Sequence, residues 1–155
     1  MDAFSAAAYD IIQTSIQDLR ATVTGMDRAA LNRAPALETN SIAVLVTHAV
    51  TSAKTLLDTA LSGRMDRGHY MGTVRPAAFA TRDADAATLL ALLDELAQTA
   101  ERLTSEGAHA DYAAAVEYTG GESGPPRTRA WCLLHAVEHL REHVGHAQLT
   151  KQLLA

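Results

Sequence analysis

Four stretches of the chain place apolar side chains three and four residues apart, which is the repeat of an amphipathic α-helix. Residues that commonly begin or end helices bound these stretches. The predicted helices cover residues 5–24, from Asn40 or Ser41 to Gly63, from Asp83 or Asp85 to Gly107, and from Thr128 to Leu153. Because each helix has one apolar face to bury, we predict an all-α fold and, within that class, a four-helix bundle.

The length and the cysteine content indicate how the chain is organised. A chain of 155 residues suits one domain whose core forms without disulfide bonds, so we predict a single domain over residues 1–155. The single cysteine, Cys132, is expected as a small buried side chain, and such low cysteine usage is typical of a reducing compartment. Asp2 and Asp10 lie where a signal peptide needs a basic leader and an apolar core. We therefore expect a cytoplasmic protein.

The charge pattern limits the classes of partner. The formal net charge is -5, and the 13 lysine and arginine residues form no basic block, so no nucleic-acid partner is expected. No apolar run approaches the length that spans a bilayer, and we expect no membrane contact. The apolar helix faces are compatible with a homodimer. A small-molecule substrate is expected, and the sequence does not identify it.

Two long connections separate the predicted helices. Residues 63–82 show little periodicity, and a connection of this length can cross the bundle rather than join antiparallel neighbours. Such a crossover between the second and third helices gives an up-down-down-up order. The second connection, residues 108–126, ends in the breaker cluster GGESGPP and has a short extended piece around Val116 and Tyr118. Five side chains of the first connection are either substrate contacts or solvated loop residues: Arg64, Arg67, His69, Tyr70 and Arg75.

Histidines crowd the fourth helix. Four of the seven lie within HAVEHLREHVGH, and His135, His139 and His143 are separated by steps of four that place them on one helix face. Histidine is a weak helix former and carries little charge at pH 7, so an exposed face has no need of it. Neutral imidazole is a common ligand for zinc and nickel, and two imidazoles one turn apart clamp one ion. The alternative is an idle, solvent-exposed face.

A third ligand can come from the second helix, where His48 lies beside the apolar stripe. On its own, His48 would be read as a boundary residue with one hydrogen bond. If the second and fourth helices are antiparallel, helix depth pairs His48 with His139 and His143. If they are parallel, it pairs His48 with His135 and His139 instead. With ordinary imidazole pKa values, metal affinity would fall below about pH 6.

Two segments carry a family resemblance. TNSIAVLVTH, which ends at His48, and WCLLHAVEHLREHVGHAQLTKQLL resemble the two signatures of the DinB and YfiT-like superfamily of metalloenzymes. The stronger signature is H-x3-H-x-G-x-x-Q, at His139, His143, Gly145 and Gln148. The resemblance implies an up-down-down-up four-helix bundle that holds a nickel or zinc ion on His48, His139 and His143. It leaves His135 and His146 outside the ligand set.

The resemblance also implies a range of activities. Relatives use a low-molecular-weight thiol of the mycothiol or bacillithiol type in transferase, isomerase or hydrolase reactions, and a metal-dependent thiol transferase is the activity that we expect first. The alternatives are a metal-dependent hydrolase, a non-catalytic metal-binding or stress-response bundle with a structural ion, and a dimerisation module. Candidate hydrogen-bond partners of the imidazoles are Glu138, Glu142 and Gln148. Candidate carboxylate-binding residues are Arg127, Arg129 and Arg141, unless Arg141 pairs with Glu138 or another helix neighbour.

Overall fold

The computed structural model describes residues 2–121 and 125–155, and most of them are helical. In chain order the helices are α1 (Ala3–Val23), α2 (Arg28–Asn32), α3 (Ile42–Ser62), α4 (Arg67–His69), α5 (Arg75–Phe79), α6 (Ala86–Ser105) and α7 (Arg129–Leu154). A π-helical turn (Tyr70–Val74) joins α4 to α5, and a 3-10 turn (Gly107–His109) follows α6. Two short strands, β1 (Arg64–Asp66) and β2 (Glu117–Thr119), form a parallel pair. The mostly helical class is therefore as predicted, with a small sheet added to it.

The ends of the long helices follow local chemistry. The Ser41 hydroxyl accepts a hydrogen bond from the Val44 amide, and the Asp85 carboxylate accepts one from the Thr88 amide. Thr128 caps α7 in the same way. These side chains satisfy amide groups that have no partner inside the first helical turn. At the other end of α3, Gly63 has a φ of 78°, a left-handed conformation that glycine adopts without strain.

Helix directions follow from hydrogen bonds between helix ends. Arg129, at the start of α7, donates from Nε to the carbonyl of Ala60 at 2.7 Å and from its terminal nitrogen to the carbonyl of Leu61. The start of α7 therefore lies at the end of α3, and these two helices run antiparallel. Lys151, near the end of α7, donates to the carbonyl of Thr22 near the end of α1 at 2.6 Å, so α1 and α7 run in the same direction.

The core lies between the four long helices. Its largest fully buried side chains on them are Ile12, Ile16, Leu19, Ile42, Leu57, Leu89, Leu93, Leu96, Leu103, Leu133 and Leu140. Burying each such side chain contributes about 1.5–3 kcal/mol. Ile11 and Leu134 belong to the apolar repeats of the sequence but lie outside this core, since Ile11 is 43% exposed and Leu134 is 55% exposed. Ile11 precedes the buried Ile12, and Leu134 follows the buried Leu133. Because consecutive side chains differ by about 100° around the helix axis, Ile11 and Leu134 point away from the buried face.

Residues 63–82 were predicted as a loop without regular structure, and this prediction was wrong. The segment contains β1, α4, the π-helical turn and α5. Asp66 caps α4 through the amide of His69 at 2.9 Å, and Pro76 occupies the first turn of α5. Elements of three to five residues contain about one helical turn, which is too short for an apolar repeat to appear. The extended piece around Tyr118 is present as β2.

The described residues contain no helix that is both long and apolar enough to cross a membrane.

A close backbone contact joins the connection after α3 to the end of β2. A Cβ atom added to Gly68 would overlap the carbonyl oxygen of Gly120, whereas one added to Gly72 would meet no atom within 4 Å. We expect Gly68→Ala to lower the free energy of unfolding by about 1–3 kcal/mol, since backbone must move to admit the methyl group. Gly72→Ala, the matched control, should change it by less than about 0.5 kcal/mol. Urea denaturation measures both, and equal effects would contradict a specific contact at Gly68.

Candidate metal centre

Three imidazoles from two helices converge on one point. His48 of α3 and His139 and His143 of α7 each offer a nitrogen, and these nitrogens lie within 4.8 Å of one another. The Nε2 atoms of His139 and His143 are 3.2 Å apart. The ring centre of His48 is 5.0 Å from each of the other two rings. Residues from distant parts of the chain thus form one compact cluster of nitrogen donors.

Antiparallel packing of α3 on α7 selects the members of this cluster. His48 is 6% exposed and lies on the buried side of α3. His139 and His143, one turn apart on α7, face it. Of the two ligand pairs that helix depth allowed, the structure brings His139 and His143 to His48. His135 is directed elsewhere: its Nδ1 is 3.2 Å from a Glu138 carboxylate oxygen. His146 is exposed, with its ring centre 5.6 Å from that of His143.

The connection after α3 covers His48. Its Tyr70 hydroxyl shares a hydrogen bond of 2.7 Å with the Ser52 hydroxyl, which in turn lies 3.4 Å from Nδ1 of His48. Occupying Nδ1 in this way leaves Nε2 of His48 as the nitrogen for a ligand. The Phe79 ring packs on His48 with ring centres 4.4 Å apart, and the Arg75 guanidinium lies 4.9 Å from the centre of the Phe79 ring. Sequence reasoning missed Phe79, because a single aromatic residue in an aperiodic segment gives no signal.

The outer nitrogens of the α7 pair lack protein partners. Nδ1 of His139 and Nδ1 of His143 are buried, and neither has a hydrogen bond within the described part of the chain. The predicted partners do not reach them. Glu138 contacts His135 instead, and Glu142 and Gln148 are exposed. These two side chains lie on the outer side of α7, since neighbouring positions differ by about 100° around the axis.

Burial keeps the three imidazoles neutral. It lowers the pKa of His48 to about 4 and that of His139 to about 3, and it also lowers the pKa of His143. Repulsion among the neighbouring imidazoles, when protonated, adds to the effect, as does Arg75 for His48 and His139. Neutral imidazole is the form that binds metal. Proton competition should therefore begin well below the value of about pH 6 that ordinary imidazoles predict.

The donor set suits a divalent transition metal. With metal–nitrogen bonds of about 2.0–2.1 Å, two imidazoles on one ion have nitrogens roughly 2.9–3.4 Å apart at octahedral to tetrahedral angles. The Nε2 atoms of His139 and His143, at 3.2 Å, fall in that range. Three nitrogen donors suit zinc or nickel, and three protein ligands leave coordination positions for water or substrate.

A pocket of about 240 Å³ opens beside His139. Its wall is made by Ser52, Leu56, Met65, Arg67, Tyr70, Tyr118, Pro125, Arg127, Trp131, Cys132, His135 and His139. Burial raises the pKa of the Cys132 thiol to about 11, so this thiol stays protonated, in keeping with its predicted role as a buried apolar residue. His139 therefore belongs both to the imidazole cluster and to the pocket wall.

The candidate carboxylate-binding arginines occupy three different environments. The Arg127 guanidinium lies 4.3 Å from the ring centre of Trp131, in the pocket wall. Arg129 is bound to backbone carbonyls of α3, and Arg141 pairs with Asp18 of α1 at 2.6 Å rather than with Glu138. Of the connection residues, Arg67 and Tyr70 line the pocket, whereas Arg64 and His69 are exposed and do not.

The family follows from the comparison of sequences. The family model described as the DinB superfamily matches residues 11–147. The chain belongs to the DinB superfamily. No curated protein is significantly similar to the chain in sequence. A DinB chain with three imidazoles close enough to hold an ion fits a metal-binding protein.

Two solved structures are similar to the fold. A conserved protein from Enterococcus faecalis has a TM-score of 0.76 at 16% identity, with 99% of this chain and 98% of that chain covered. A DinB-like protein from Bacillus subtilis, YjoA, has a TM-score of 0.66 at 16% identity, with 97% of this chain and 90% of that chain covered. At this identity the likeness concerns the fold.

The lowered imidazole pKa values predict how the metal-free protein responds to acid. Unfolded histidines titrate near pH 6.5, so below that value the unfolded chain binds protons that the folded cluster does not. The free energy of unfolding should fall between about pH 6.5 and pH 4, by at most about 1.4 kcal/mol per pH unit for each buried imidazole. Urea denaturation in the presence of a chelator measures this slope. His139→Asn should reduce it, and His69→Asn, at an exposed histidine, should leave it unchanged. Equal slopes in the two variants would contradict a buried neutral cluster.

Proposed function

We propose that this DinB protein is a metal-dependent enzyme that binds nickel or zinc on His48, His139 and His143. The observation that carries the proposal is the meeting of three neutral imidazoles at the edge of a pocket of small-molecule size. A bound divalent ion would supply Lewis acidity there, which lowers the pKa of a thiol or of water and polarises a carbonyl. The reaction that we propose is transfer of a low-molecular-weight thiol to a small electrophilic substrate.

The surrounding residues support such a site by holding its donors in place. Ser52 and Tyr70 orient His48 through a chain of hydroxyl contacts that begins in the pocket wall. The Phe79 ring packs on the His48 ring, with ring centres 4.4 Å apart. His139 and His143 need no side-chain partner to stay oriented toward each other, because α7 fixes them one turn apart. The pocket then admits a substrate from the side of His139.

We also propose that the chain is one domain over residues 1–155, with its four long helices in an up-down-down-up bundle. The supporting contacts are those that set α3 antiparallel to α7 and α1 parallel to α7. An ion pair between Lys54 of α3 and Glu95 of α6, at 2.6 Å, joins α3 to α6, the remaining long helix. In this order, residues 63–82 cross from the end of α3 to the start of α6.

Metal content tests the ligand set. Protein purified without a histidine tag and loaded with zinc or nickel should retain about one equivalent of metal by mass spectrometry. His143→Ala should lower the affinity at least about 100-fold, since it removes a ligand rather than one of its supports. His146→Ala, the matched control three residues later on an exposed position, should bind as the wild type does. Protein that cannot be loaded, or equal losses in both variants, would contradict the proposed centre.

Loading the protein with cobalt tests whether a low-molecular-weight thiol binds the metal. Adding cysteine, mycothiol or bacillithiol to the cobalt-loaded protein should produce a thiolate-to-cobalt charge-transfer band, which His143→Ala should abolish. The loaded enzyme should then form a new carbon–sulfur bond between the thiol and an electrophile such as monochlorobimane, with release of chloride and of the thiol proton to solvent. His143→Ala should lower that rate at least about 100-fold while the circular dichroism spectrum is retained.

Other outcomes identify the alternatives. Turnover of ester or amide substrates without thiol would indicate a metal-dependent hydrolase. Loss of the folded state together with the ion, and no turnover in the loaded protein, would indicate a structural metal in a non-catalytic bundle.

A further inference from the structure

The pocket beside His139 carries positive charge within a chain whose formal net charge is -5. Two arginines, Arg67 and Arg127, line it, and among residues 2–121 and 125–155 no aspartate or glutamate belongs to its wall. Both arginines are partly buried. A net-negative protein repels anions over most of its surface, so a local pair of guanidinium groups sets this pocket apart.

These two arginines differ from most others in their partners. Within residues 2–121 and 125–155, the arginines that form ion pairs with carboxylates are Arg20, Arg28, Arg64, Arg102 and Arg141. Neither Arg67 nor Arg127 has such a pair in those ranges. Arg127 instead stacks on Trp131, which fixes the plane of its guanidinium and leaves its N–H groups for an oxygen acceptor.

The two guanidinium groups lie near the same aromatic side chain. Burial raises the pKa of the Tyr118 hydroxyl, and both Arg127 and Arg67 act against that rise. Tyr118 lies on β2 and Arg67 follows β1 directly, so the parallel strand pair brings them together. Two nearby guanidinium groups bind a carboxylate through charge-assisted hydrogen bonds, which are among the strongest polar contacts in proteins.

Much of the remaining described wall is aromatic or aliphatic. Trp131, Tyr70 and Tyr118 present rings, and Leu56 and Met65 present aliphatic surface. The volume of about 240 Å³ lies below the roughly 300–1,000 Å³ of pockets for drug-sized ligands. Such a pocket suits a compact, flat, apolar body with one charged end.

We propose that this pocket binds a small organic acid, with the carboxylate held by Arg67 and Arg127 and the apolar body packed against Trp131, Tyr70 and Tyr118. The end of the molecule opposite the carboxylate faces His139, which would place the reacting atom at the imidazole cluster. The assignment of that end to a reaction rests on the proposed metal-dependent function. Binding of the acid does not depend on that function, because both arginines are protein side chains of the pocket wall and need no metal.

The test uses the chain's single tryptophan, Trp131, which lies in the pocket wall. Phenylacetate and its neutral isostere phenylacetamide are titrated into the full-length protein, with and without zinc, and Trp131 fluorescence is recorded. The acid should bind at least about tenfold more tightly than the amide in both forms, since only the acid forms charge-assisted hydrogen bonds. Calorimetry repeats each titration, because removing Arg127 changes the surroundings of Trp131.

Arginine variants then test whether Arg67 and Arg127 cause the preference for the acid over the amide. Arg67→Gln and Arg127→Gln should each reduce the ratio of acid to amide affinity, and the double variant should bring it near one. Arg64→Gln, three residues before Arg67 and outside the pocket wall, should keep the wild-type ratio. Circular dichroism verifies that each variant folds. If the double variant does not fold, the affinity ratios of the two single variants decide the result.

Four results would overturn the inference: no binding of the acid, equal binding of acid and amide, a preference that the arginine variants leave unchanged, or a preference that vanishes when zinc alone is removed. The last result would indicate that the carboxylate binds the zinc ion and not the arginines. Failure of the proposed metal function is seen separately, as protein that takes up no zinc.

Discussion

Antiparallel packing of α3 on α7 is the constraint on which the rest of the structure depends. The contact is fixed at one end by Arg129, whose guanidinium satisfies carbonyl groups at the end of α3. Further along, the same contact brings His48 to His139 and His143. A shift of α7 by one turn, about 5.4 Å, would bring His135 rather than His143 beside His48 or separate the cluster. The helix-end contact and the imidazole cluster therefore specify the same register.

The connection after α3 completes the site that this packing creates. It places Phe79 on the His48 ring and joins Tyr70 to Ser52. The parallel pairing of β1 with β2, and the contact of Gly68 with Gly120, hold the segment against the chain that precedes α7. Short elements like these are stabilised by tertiary contacts rather than by their own propensity. The pocket wall, to which the segment contributes Arg67 and Tyr70, depends on the same contacts.

Electrostatics divide the site into a neutral cluster and a charged pocket. Burial disfavours protonation of His48, His139 and His143, so three nitrogen lone pairs stay free at neutral pH. Keeping unprotonated imidazoles together in a buried place makes the metal-free fold sensitive to acid. Next to them, the partly exposed Arg67 and Arg127 contribute two guanidinium groups to the pocket wall. Such an arrangement separates the proposed ion-binding cluster from the arginines proposed to bind an anionic ligand.

The sequence by itself determined the four long helices, the N-caps of α3, α6 and α7, and the histidines that share one face of α7, because apolar repeats, capping residues and i to i+4 spacing are local properties. It narrowed the candidate ligands on α7 to two pairs and left the choice to helix direction, until the family resemblance favoured His139 and His143. Tertiary structure alone decided that Ile11 and Leu134 are exposed, that Glu138 and Gln148 do not reach the imidazole cluster, and how residues 63–82 fold. It also placed Phe79 on His48 and grouped Arg67 with Arg127, about sixty residues apart. These contacts join residues that are distant in the chain. Tertiary packing determines them, and the local sequence repeat does not.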